Sequence, residues 1–359
     1  MSNRIFNRTD RVVEGWYWAL PSKALRPKRT KAIELMGKKL VLFRGESGRV
    51  HAMDAFCPHM GAHLAEGKVE GDSLRCFFHA WKFSEKGECL DIPCLKQPIL
   101  VKPQPTWPTA ERYGLIWVWA GKESKTDVPC VPELEGLETD WLLGNRFEKN
   151  CHPNVMMINA IDEQHFHSVH PMVREIAGGI GFKITQKSPH CLVFQNGNQV
   201  PATTWYTRLL GKFYGKAATY DLSYWYGTNG TVTIGPDFLH FYIIFALRPT
   251  PEGRSEGQTI LVTKKRHGFF GKLFNWFILR VTRVVGGYFA RGDTKIFKTI
   301  RFELKTPIQA DHSILAFASH LEKQTPVEWG MGKLPIAPVP ASKPVVSESQ
   351  STMLSGEPS

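Results

Sequence analysis

The chain has 359 residues, of which 42% are hydrophobic and 22% are charged, and its formal net charge is +12. This composition is that of an ordinary globular protein and excludes a disordered or collagen-like chain. The surplus of positive charge suits an acidic protein partner or an anionic ligand. Because no nucleic-acid-binding motif accompanies it, we expect no nucleic-acid partner.

The N-terminal residues contain no apolar run of signal-peptide length, and they mix acids with bases, which is not typical of a transit peptide. We therefore expect a cytoplasmic protein. Its seven cysteines are an odd number, and without an export signal they favour metal binding over disulfide bonds. The apolar stretch 268–290 contains Lys272, Arg280 and Arg283, which argues against a membrane span. A partly buried helix is the preferred interpretation, and an amphipathic helix on a membrane surface is the alternative.

The first third of the chain reads as short strands joined by turns, because runs of β-branched and aromatic residues end at turn-forming residues. The predicted strands there are 39–44, 50–55 and 113–120. Further along, a helix is predicted from Asn154 to His170, between two prolines. Strands and a long helix then follow, at 217–226, 231–234, 239–247 and, for the helix, 269–302.

A change in composition divides the chain into parts. The segment 124–139 is rich in proline and acidic residues, as expected of a linker between domains. We therefore predict an N-terminal domain over residues 1–130 and a second domain over residues 140–332. The remaining segment, 333–359, is dense in Pro, Ser and Ala, and it is predicted to be a disordered tail.

Two Cys/His pairs lie close together in the strand-rich part. Cys57 and His59 form the first pair, and Cys76 and His79 form the second, with sixteen residues between the pairs. Four such ligands suit zinc as well as a Rieske [2Fe–2S] cluster. Zinc fingers with this ligand set place both cysteines before both histidines, whereas here each loop supplies one of each. This order favours a Rieske cluster, in which two thiolates bind one iron and two imidazoles bind the other.

A second set of metal-ligand residues lies in the helix predicted after Pro153. Asp162 and His165 are three residues apart and share one face of a regular helix. His165 and His170 are five apart, which places them about 140° from each other around the axis. Both can reach one metal only if the helix widens between them, so we predict a π-bulge there. His152 and His167 are interpreted as structural histidines.

These patterns resemble those of the Rieske non-heme iron oxygenases. The segments CPHMGAHLAEG and CFFHAWKFSEKGEC resemble the two cluster-binding loops. The spacing N-x-x-D-x-x-H-x-x-x-x-H resembles the iron motif of Rieske oxygenase α subunits. Within the family, the chain resembles the single-subunit-type branch of oxygenase components. The resemblance extends from about Trp16 to about Phe302. It implies an α+β fold, with an N-terminal antiparallel β Rieske domain and a C-terminal helix-grip catalytic domain.

The resemblance implies two iron centres. The ligands implied for the [2Fe–2S] cluster are Cys57, His59, Cys76 and His79. His165, His170 and a carboxylate from a later helix are implied to bind a mononuclear Fe(II). The segment GGYFARGDTKIFKTIRF resembles that helix and makes the carboxylate Asp293, with a helix-capping role as the alternative.

Two further residues and several partners follow from the same resemblance. Asp162 is implied to hydrogen-bond His165 and to connect the iron centres of neighbouring subunits, and Asn159 is implied to line the iron site. A homotrimer is implied because the two centres of one chain are too far apart for efficient electron transfer. Electrons would come from NAD(P)H through a reductase or a ferredoxin.

The expected activity is O₂-dependent monooxygenation, with hydroxylation of a C–H bond in a small organic molecule of secondary metabolism as the leading hypothesis. Oxidative O- or N-demethylation and N-oxygenation of an amine are alternatives within the class. A Rieske electron-transfer protein with a vestigial second site is the alternative from another class. The substrate cannot be read from the sequence, since the following aromatic residues serve equally well as core or as pocket: Trp205, Tyr206, Tyr224, Trp225, Phe241 and Tyr242.

Overall fold

The computed structural model describes residues 5–6, 8–95, 101–170, 181–198, 205, 208, 218–226, 228–236 and 238–330. Over these residues the chain consists of antiparallel sheets with a few helices, so the predicted α+β class is confirmed. The predicted disordered tail, 333–359, lies outside the described residues. Among the helices that are described, none is long and apolar enough to span a membrane.

The described N-terminal part contains twelve short strands, and all of them except β1 form three antiparallel sheets. These strands are β1 Val12–Val13, β2 Gly15–Pro21, β3 Thr30–Leu35, β4 Lys38–Arg44, β5 Val50–Asp54, β6 Lys68–Glu70, β7 Ser73–Arg75, β8 Lys82–Phe83, β9 Cys89–Asp91, β10 Thr106–Trp107, β11 Thr109–Arg112 and β12 Leu115–Ala120. The strand orders are β10-β5-β4-β3, β6-β7-β8-β9 and β11-β12-β2. The strands predicted at 39–44, 50–55 and 113–120 are therefore confirmed as β4, β5 and β12.

The C-terminal part is built on one seven-stranded antiparallel sheet. Its strands are β13 Thr139–Lys149, β14 Lys183–Ser188, β15 Cys191–Asn198, β16 Ala218–Trp225, β17 Asn229–Pro236, β18 Phe241–Pro249 and β19 Ser255–Lys264, in the order β13-β19-β18-β17-β16-β15-β14. The helices described are α1 Pro153–Asn159, α2 His165–Ser168, α3 Gly268–Asp293, α4 Ile296–Thr299 and α5 His312–Glu322. A last short strand pairs with β1 and is β20 Pro326–Val327.

The long helix α3 lies on the seven-stranded sheet. Its buried residues Asn275, Ile278, Leu279 and Thr282 are spaced by three and four residues, so they form one face of the helix. Leu279 packs in a cluster with residues of β18 and β19. The helix predicted over 269–302 is therefore confirmed as far as Asp293, where α3 ends. The packing of α3 on the sheet fixes the position of this end.

The helix predicted from Asn154 to His170 is wrong as a single element. It is two short helices, α1 and α2, and residues 160–164 between them form turns. The Oδ1 atom of Asp162 accepts a hydrogen bond of 2.9 Å from the backbone N–H of Gln164. Such a local side-chain bond competes with helical backbone pairing, so it stabilises the break.

The π-bulge predicted between His165 and His170 is wrong as well. His170 lies beyond the end of α2 and directly before Pro171, whose ring disfavours helical backbone at the preceding residue. A break in the helix, and not a wider helical turn, therefore brings the two histidines to one place.

The two parts of the chain meet through a tryptophan-rich core. The strands β2 and β12 contribute Trp16, Trp18, Trp117 and Trp119, which pack in one cluster with buried residues of the seven-stranded sheet. Buried Arg248 of β18 reaches across this contact and donates to the backbone oxygen of Trp18 at 2.9 Å. The predicted division into two domains stays a prediction.

Replacing Arg248 should destabilise the whole chain. Its guanidinium lies over the Trp18 ring at 4.0 Å and donates through Nε to Glu256 at 2.6 Å. Arg248→Met leaves that partly buried carboxylate and the Trp18 carbonyl without this donor, so we expect the free energy of unfolding to fall by about 3 kcal/mol. Urea denaturation followed by tryptophan fluorescence measures the change.

The matched control is Arg254→Met, which removes exposed ion pairs in the turn between β18 and β19. It should change the free energy of unfolding by less than about 0.5 kcal/mol. Equal losses for the two variants would contradict the structural role given to Arg248.

Candidate metal centres

The two Cys/His pairs lie on two loops of the N-terminal part. Cys57 and Cys76 are buried, whereas His59 and His79 are exposed. A backbone hydrogen bond closes each loop. Gly61 N–H donates to the Cys57 carbonyl, and Cys76 N–H donates to the Trp81 carbonyl. The thiols therefore point into the protein and the imidazoles form its outer edge.

The side chains of the two loops are close to each other. The ring centroids of His59 and His79 are 4.5 Å apart, and Trp81 stacks on His59 at 4.6 Å. Burial raises the pKa of the Cys57 thiol to about 11. A hydrogen bond from the His59 backbone N–H lowers this pKa and so partly offsets the effect of burial. Because two neighbouring buried thiolates are costly without positive charge, these cysteines suit metal ions.

The four residues do not converge on one point. Among the described residues, His165, His170 and Asp293 have all their ligand atoms within 4.8 Å of one another. The residues of the two Cys/His pairs do not form such a group. A single zinc ion needs its four ligand atoms around one centre. A [2Fe–2S] cluster spreads them over two irons, so the donor set and its spacing fit the cluster.

The second site joins α2, the residue after it and the end of α3. Asp293 Oδ1 lies 2.9 Å from His170 Nε2 and 3.8 Å from His165 Nε2. Ligand atoms at right angles around one ion, each about 2 Å from it, are about 3 Å apart. Two imidazoles and one carboxylate at these separations fit one face of a single iron ion.

His165 is oriented by a hydrogen bond on its other ring nitrogen. Its Nδ1 lies 2.6 Å from the backbone oxygen of Asp162, so Nδ1 carries the proton and Nε2 keeps its lone pair. Burial lowers the pKa of His165, which keeps the imidazole neutral. A neutral imidazole with a free Nε2 is the form that binds a metal.

Asp293 is the last residue of α3, so it does not cap the start of a helix. The end of a helix carries partial negative charge, which makes this an unfavourable place for a carboxylate. The preceding residue, Gly292, makes room, because a Cβ atom there would lie 3.0 Å from His170 Cε1. A metal ion between Asp293 and the histidines would offset the unfavourable position.

The two remaining predicted site residues lie close to this group. Asn159, at the end of α1, lines the cavity that contains the histidines. The Asp162 carboxylate does not make the predicted hydrogen bond to His165. Its backbone oxygen makes that bond, while the carboxylate accepts from Gln164 N. The break between α1 and α2 turns the Asp162 main chain toward His165, which is the reason for the difference.

A cavity of about 300 Å³ lies beside His165, His170 and Asp293, between α1, α3 and the seven-stranded sheet. This is within the range of small-molecule sites. Asp293 is the carboxylate among its described lining residues, and Lys149 and Arg283 are the cations. Most other lining side chains are apolar, among them Met156, Phe166, Leu222, Val232, Ile243, Phe245, Leu261 and Phe297.

Tyr220 and Gly292 of this site were not predicted from the sequence. Tyr220 and Tyr224 of β16 donate hydrogen bonds to the carbonyls of Ala160 and Met157, which hold α1 and the following turn against the sheet. Of the aromatic residues considered as pocket candidates, Tyr224 lines the cavity. Gly292 has no local signal either, because its role depends on a residue more than a hundred positions earlier.

The family model of the Rieske [2Fe–2S] domain matches residues 15–109, which include both Cys/His pairs. Residues 15–109 are therefore identified as a Rieske [2Fe–2S] domain. Aminopyrrolnitrin oxygenase PrnD of Pseudomonas fluorescens is 35% identical over 178 residues, or 46% of this chain and 48% of that protein. The oxygenase component of 3-ketosteroid-9-alpha-monooxygenase of Rhodococcus rhodochrous is 31% identical over 166 residues, or 45% and 44%.

In these matches the chain spans about half the length of its relatives. The fold is shared more widely. The solved structure of NdmB from Pseudomonas putida CBB5 superposes with a TM-score of 0.63 over 86% of this chain and 89% of that one, at 16% identity. The resemblance to the Rieske non-heme iron oxygenases is thus confirmed, and with it the expectation of a Rieske cluster and a non-heme iron.

Substitution of the clustered side chains should abolish binding of the mononuclear iron. For His170→Ala and Asp293→Ala, we expect the affinity for Fe(II) to fall by more than about 100-fold, beyond the effect of losing a residue that only orients a ligand. Anaerobic titration of chelator-treated protein with Fe(II) measures the affinity, and the absorbance of the Rieske cluster reports that the variants remain folded.

His167→Ala is the matched control, since it removes an imidazole from the same short segment. It should bind Fe(II) as the unsubstituted chain does. Normal Fe(II) affinity in His170→Ala, or a loss in His167→Ala, would contradict the choice of ligands.

Proposed function

We propose that the chain is the oxygenase component of an O₂-dependent monooxygenase that hydroxylates a C–H bond of a small apolar molecule. One observation carries the proposal: a Rieske domain and the buried group of His165, His170 and Asp293 occur in one chain, with an apolar cavity beside that group. A pure electron carrier needs neither the cavity nor the second group.

Each centre has its own proposed ligands. The cluster ligands are Cys57, His59, Cys76 and His79. His165, His170 and Asp293 would hold the mononuclear iron. When bound, the cluster would supply electrons, and the mononuclear iron would supply the site at which O₂ is activated.

The chain's own residues position the substrate and exclude water. The hydrogen bonds from Tyr220 and Tyr224 fix the wall of the cavity that carries Asn159. The apolar lining removes competing water from the neighbourhood of His165 and His170. These residues would therefore hold a substrate C–H bond beside His165, His170 and Asp293, which is the contribution that a protein makes to such a reaction.

The lining favours a substrate with a mainly apolar skeleton. Its two cations already donate hydrogen bonds to neutral side chains, Lys149 to Thr294 Oγ1 and Arg283 to Asn145 Oδ1, each at 3.0 Å. The carboxylate of Asp293 is committed to the iron in this proposal, so it is not a counter-ion for an amine. The hydroxyls of Tyr220 and Tyr224 already donate to backbone carbonyls. One relative is named for a 3-ketosteroid, which is a molecule of this character. We propose a substrate of secondary metabolism with a similar apolar skeleton.

The electron path requires partners. We propose that a reductase or a ferredoxin passes electrons from NAD(P)H to the exposed edge formed by His59 and His79, in the cytoplasm. We further propose a homotrimer, in which Asp162 would lie on the electron path between the cluster site of one subunit and the iron site of its neighbour.

A single-turnover experiment with isotopically labelled oxygen tests the proposed reaction. Fully reduced protein is mixed with ¹⁸O₂ and a panel of steroids and other apolar ring compounds, and the products are analysed by mass spectrometry. We expect one ¹⁸O atom in a hydroxylated product, and none with Asp293→Ala. Oxidation of the cluster at the same rate in both proteins, with no labelled product, would contradict the proposal in favour of an electron carrier.

Removing the charge of Asp162 should separate metal binding from coupled turnover. Asp162→Asn keeps the backbone oxygen that orients His165 and an acceptor for Gln164 N, so both metals should stay bound. We expect reoxidation of the reduced cluster in the presence of substrate and O₂ to slow by about 10- to 100-fold. Stopped-flow absorbance of the cluster measures this rate.

Glu163→Gln is the control, because it neutralises the adjacent carboxylate and should leave the rate unchanged. Normal cluster reoxidation and normal product yield in Asp162→Asn would rule out the bridging role.

A further inference from the structure

The outer face of α3 is apolar although nothing in the described part of the chain covers it. Phe269, Leu273, Trp276, Phe277 and Val284 are spaced by four, three, one and seven residues, so they form one stripe. The stripe is opposite the face that packs on the sheet. Trp276 is 53% exposed and Phe277 is 55% exposed, which is unusual for adjacent large aromatic residues.

The charged side chains of α3 before Asp293 are all basic, and Glu138 of a neighbouring segment pairs with Lys265 just before the helix. Between Lys264 and Gly292 the sequence contains basic residues and no Asp or Glu. Lys272, Arg280 and Arg283 are exposed on α3 itself. The Arg280 guanidinium lies over the Trp276 ring at 3.8 Å, so cation and aromatic ring form one surface. This combination of basic and aromatic side chains is typical of helices that lie in the interface of an anionic membrane.

The same helix borders the mouth of the cavity. Asn145, Arg283 and Gly287 are exposed and also line the cavity, so the cavity reaches the surface between them. Arg283 donates to Asn145 Oδ1 at 3.0 Å across this point. Val284, of the apolar stripe, is the residue next to Arg283. A molecule leaving the surface on which the stripe lies would therefore meet the opening directly.

We propose that the outer face of α3 binds the surface of an anionic membrane, and that the cavity takes its apolar substrate from that membrane. The cations keep α3 in the plane of the headgroups, while the aromatic side chains enter the acyl boundary. The source of the substrate rests on the proposed function, but the binding of the membrane does not.

A second copy of the chain fits this face less well. A two-fold contact would place the stripe of one subunit against the stripe of the other, and it would bring the two sets of cations together. Like charges across a contact cost free energy, whereas anionic lipid headgroups neutralise them. The charge pattern therefore favours lipid over a two-fold contact, and the oligomeric state of the variants below tests the head-to-tail contact of the proposed homotrimer.

Vesicle co-sedimentation of the full iron-loaded protein tests the proposal. The protein should sediment with phosphatidylcholine vesicles that contain phosphatidylserine, and much less with phosphatidylcholine alone. The variant Lys272→Gln/Arg280→Gln should bind the anionic vesicles less well by about fivefold for each cation. The variant Trp276→Gln/Phe277→Gln should lose about tenfold or more.

Phe238→Gln/Ile308→Gln is the matched control, because it removes two other exposed apolar side chains. It should bind vesicles as the unsubstituted chain does. Iron content and oligomeric state are measured on every variant, so failure of the metal site is distinguished from failure of the membrane surface. Absence of vesicle binding, equal binding by all variants, or dissociation of an oligomer by Trp276→Gln/Phe277→Gln would overturn the proposal.

Discussion

The contact between Asp293 and His170 is the constraint on which the C-terminal half of the chain depends. It joins residues 123 positions apart, with Oδ1 and Nε2 separated by 2.9 Å. A carboxylate at the end of a helix is held there against the helix dipole, so the position has to be fixed by packing. The buried face of α3, centred on Ile278 and Leu279, supplies that packing against β18 and β19. Because the face of α3 with Ile278 and Leu279 packs on the sheet, the apolar stripe on the opposite face is exposed beside the mouth of the cavity.

The two metal-binding regions differ in how they face solvent. In the Rieske domain the thiols are inside and the imidazoles of His59 and His79 are outside, which is the orientation needed to receive electrons at the surface. In the second region, His165 and His170 are both buried. Burial lowers the pKa of His165 and excludes water from the same place. In the proposed oxygenase, the exposed pair of histidines would be the point of electron entry and the buried group would be the point of chemistry.

Local patterns in the sequence were sufficient to predict the strands β4, β5 and β12 and to interpret the two Cys/His pairs as cluster ligands. Each of these predictions depends only on residues that are near one another in the sequence. Asp293 followed only from resemblance, since no local rule connects it to His165. The helix predicted through His170 failed because Asp162 bonds the backbone two residues on and because Pro171 follows. The cavity and the role of Gly292 depend on strand pairing and on contacts between distant segments, which a single sequence does not contain.

The most direct test of the account is a count of iron and acid-labile sulfide per chain in anaerobically purified protein, together with the EPR spectrum after reduction. Two centres in one chain require about three irons and two sulfides, with a Rieske signal. If the count stays at about two irons and two sulfides per chain after anaerobic addition of Fe(II), then His165, His170 and Asp293 do not form an iron site. That result would contradict the proposed oxygenase and favour an electron-transfer protein.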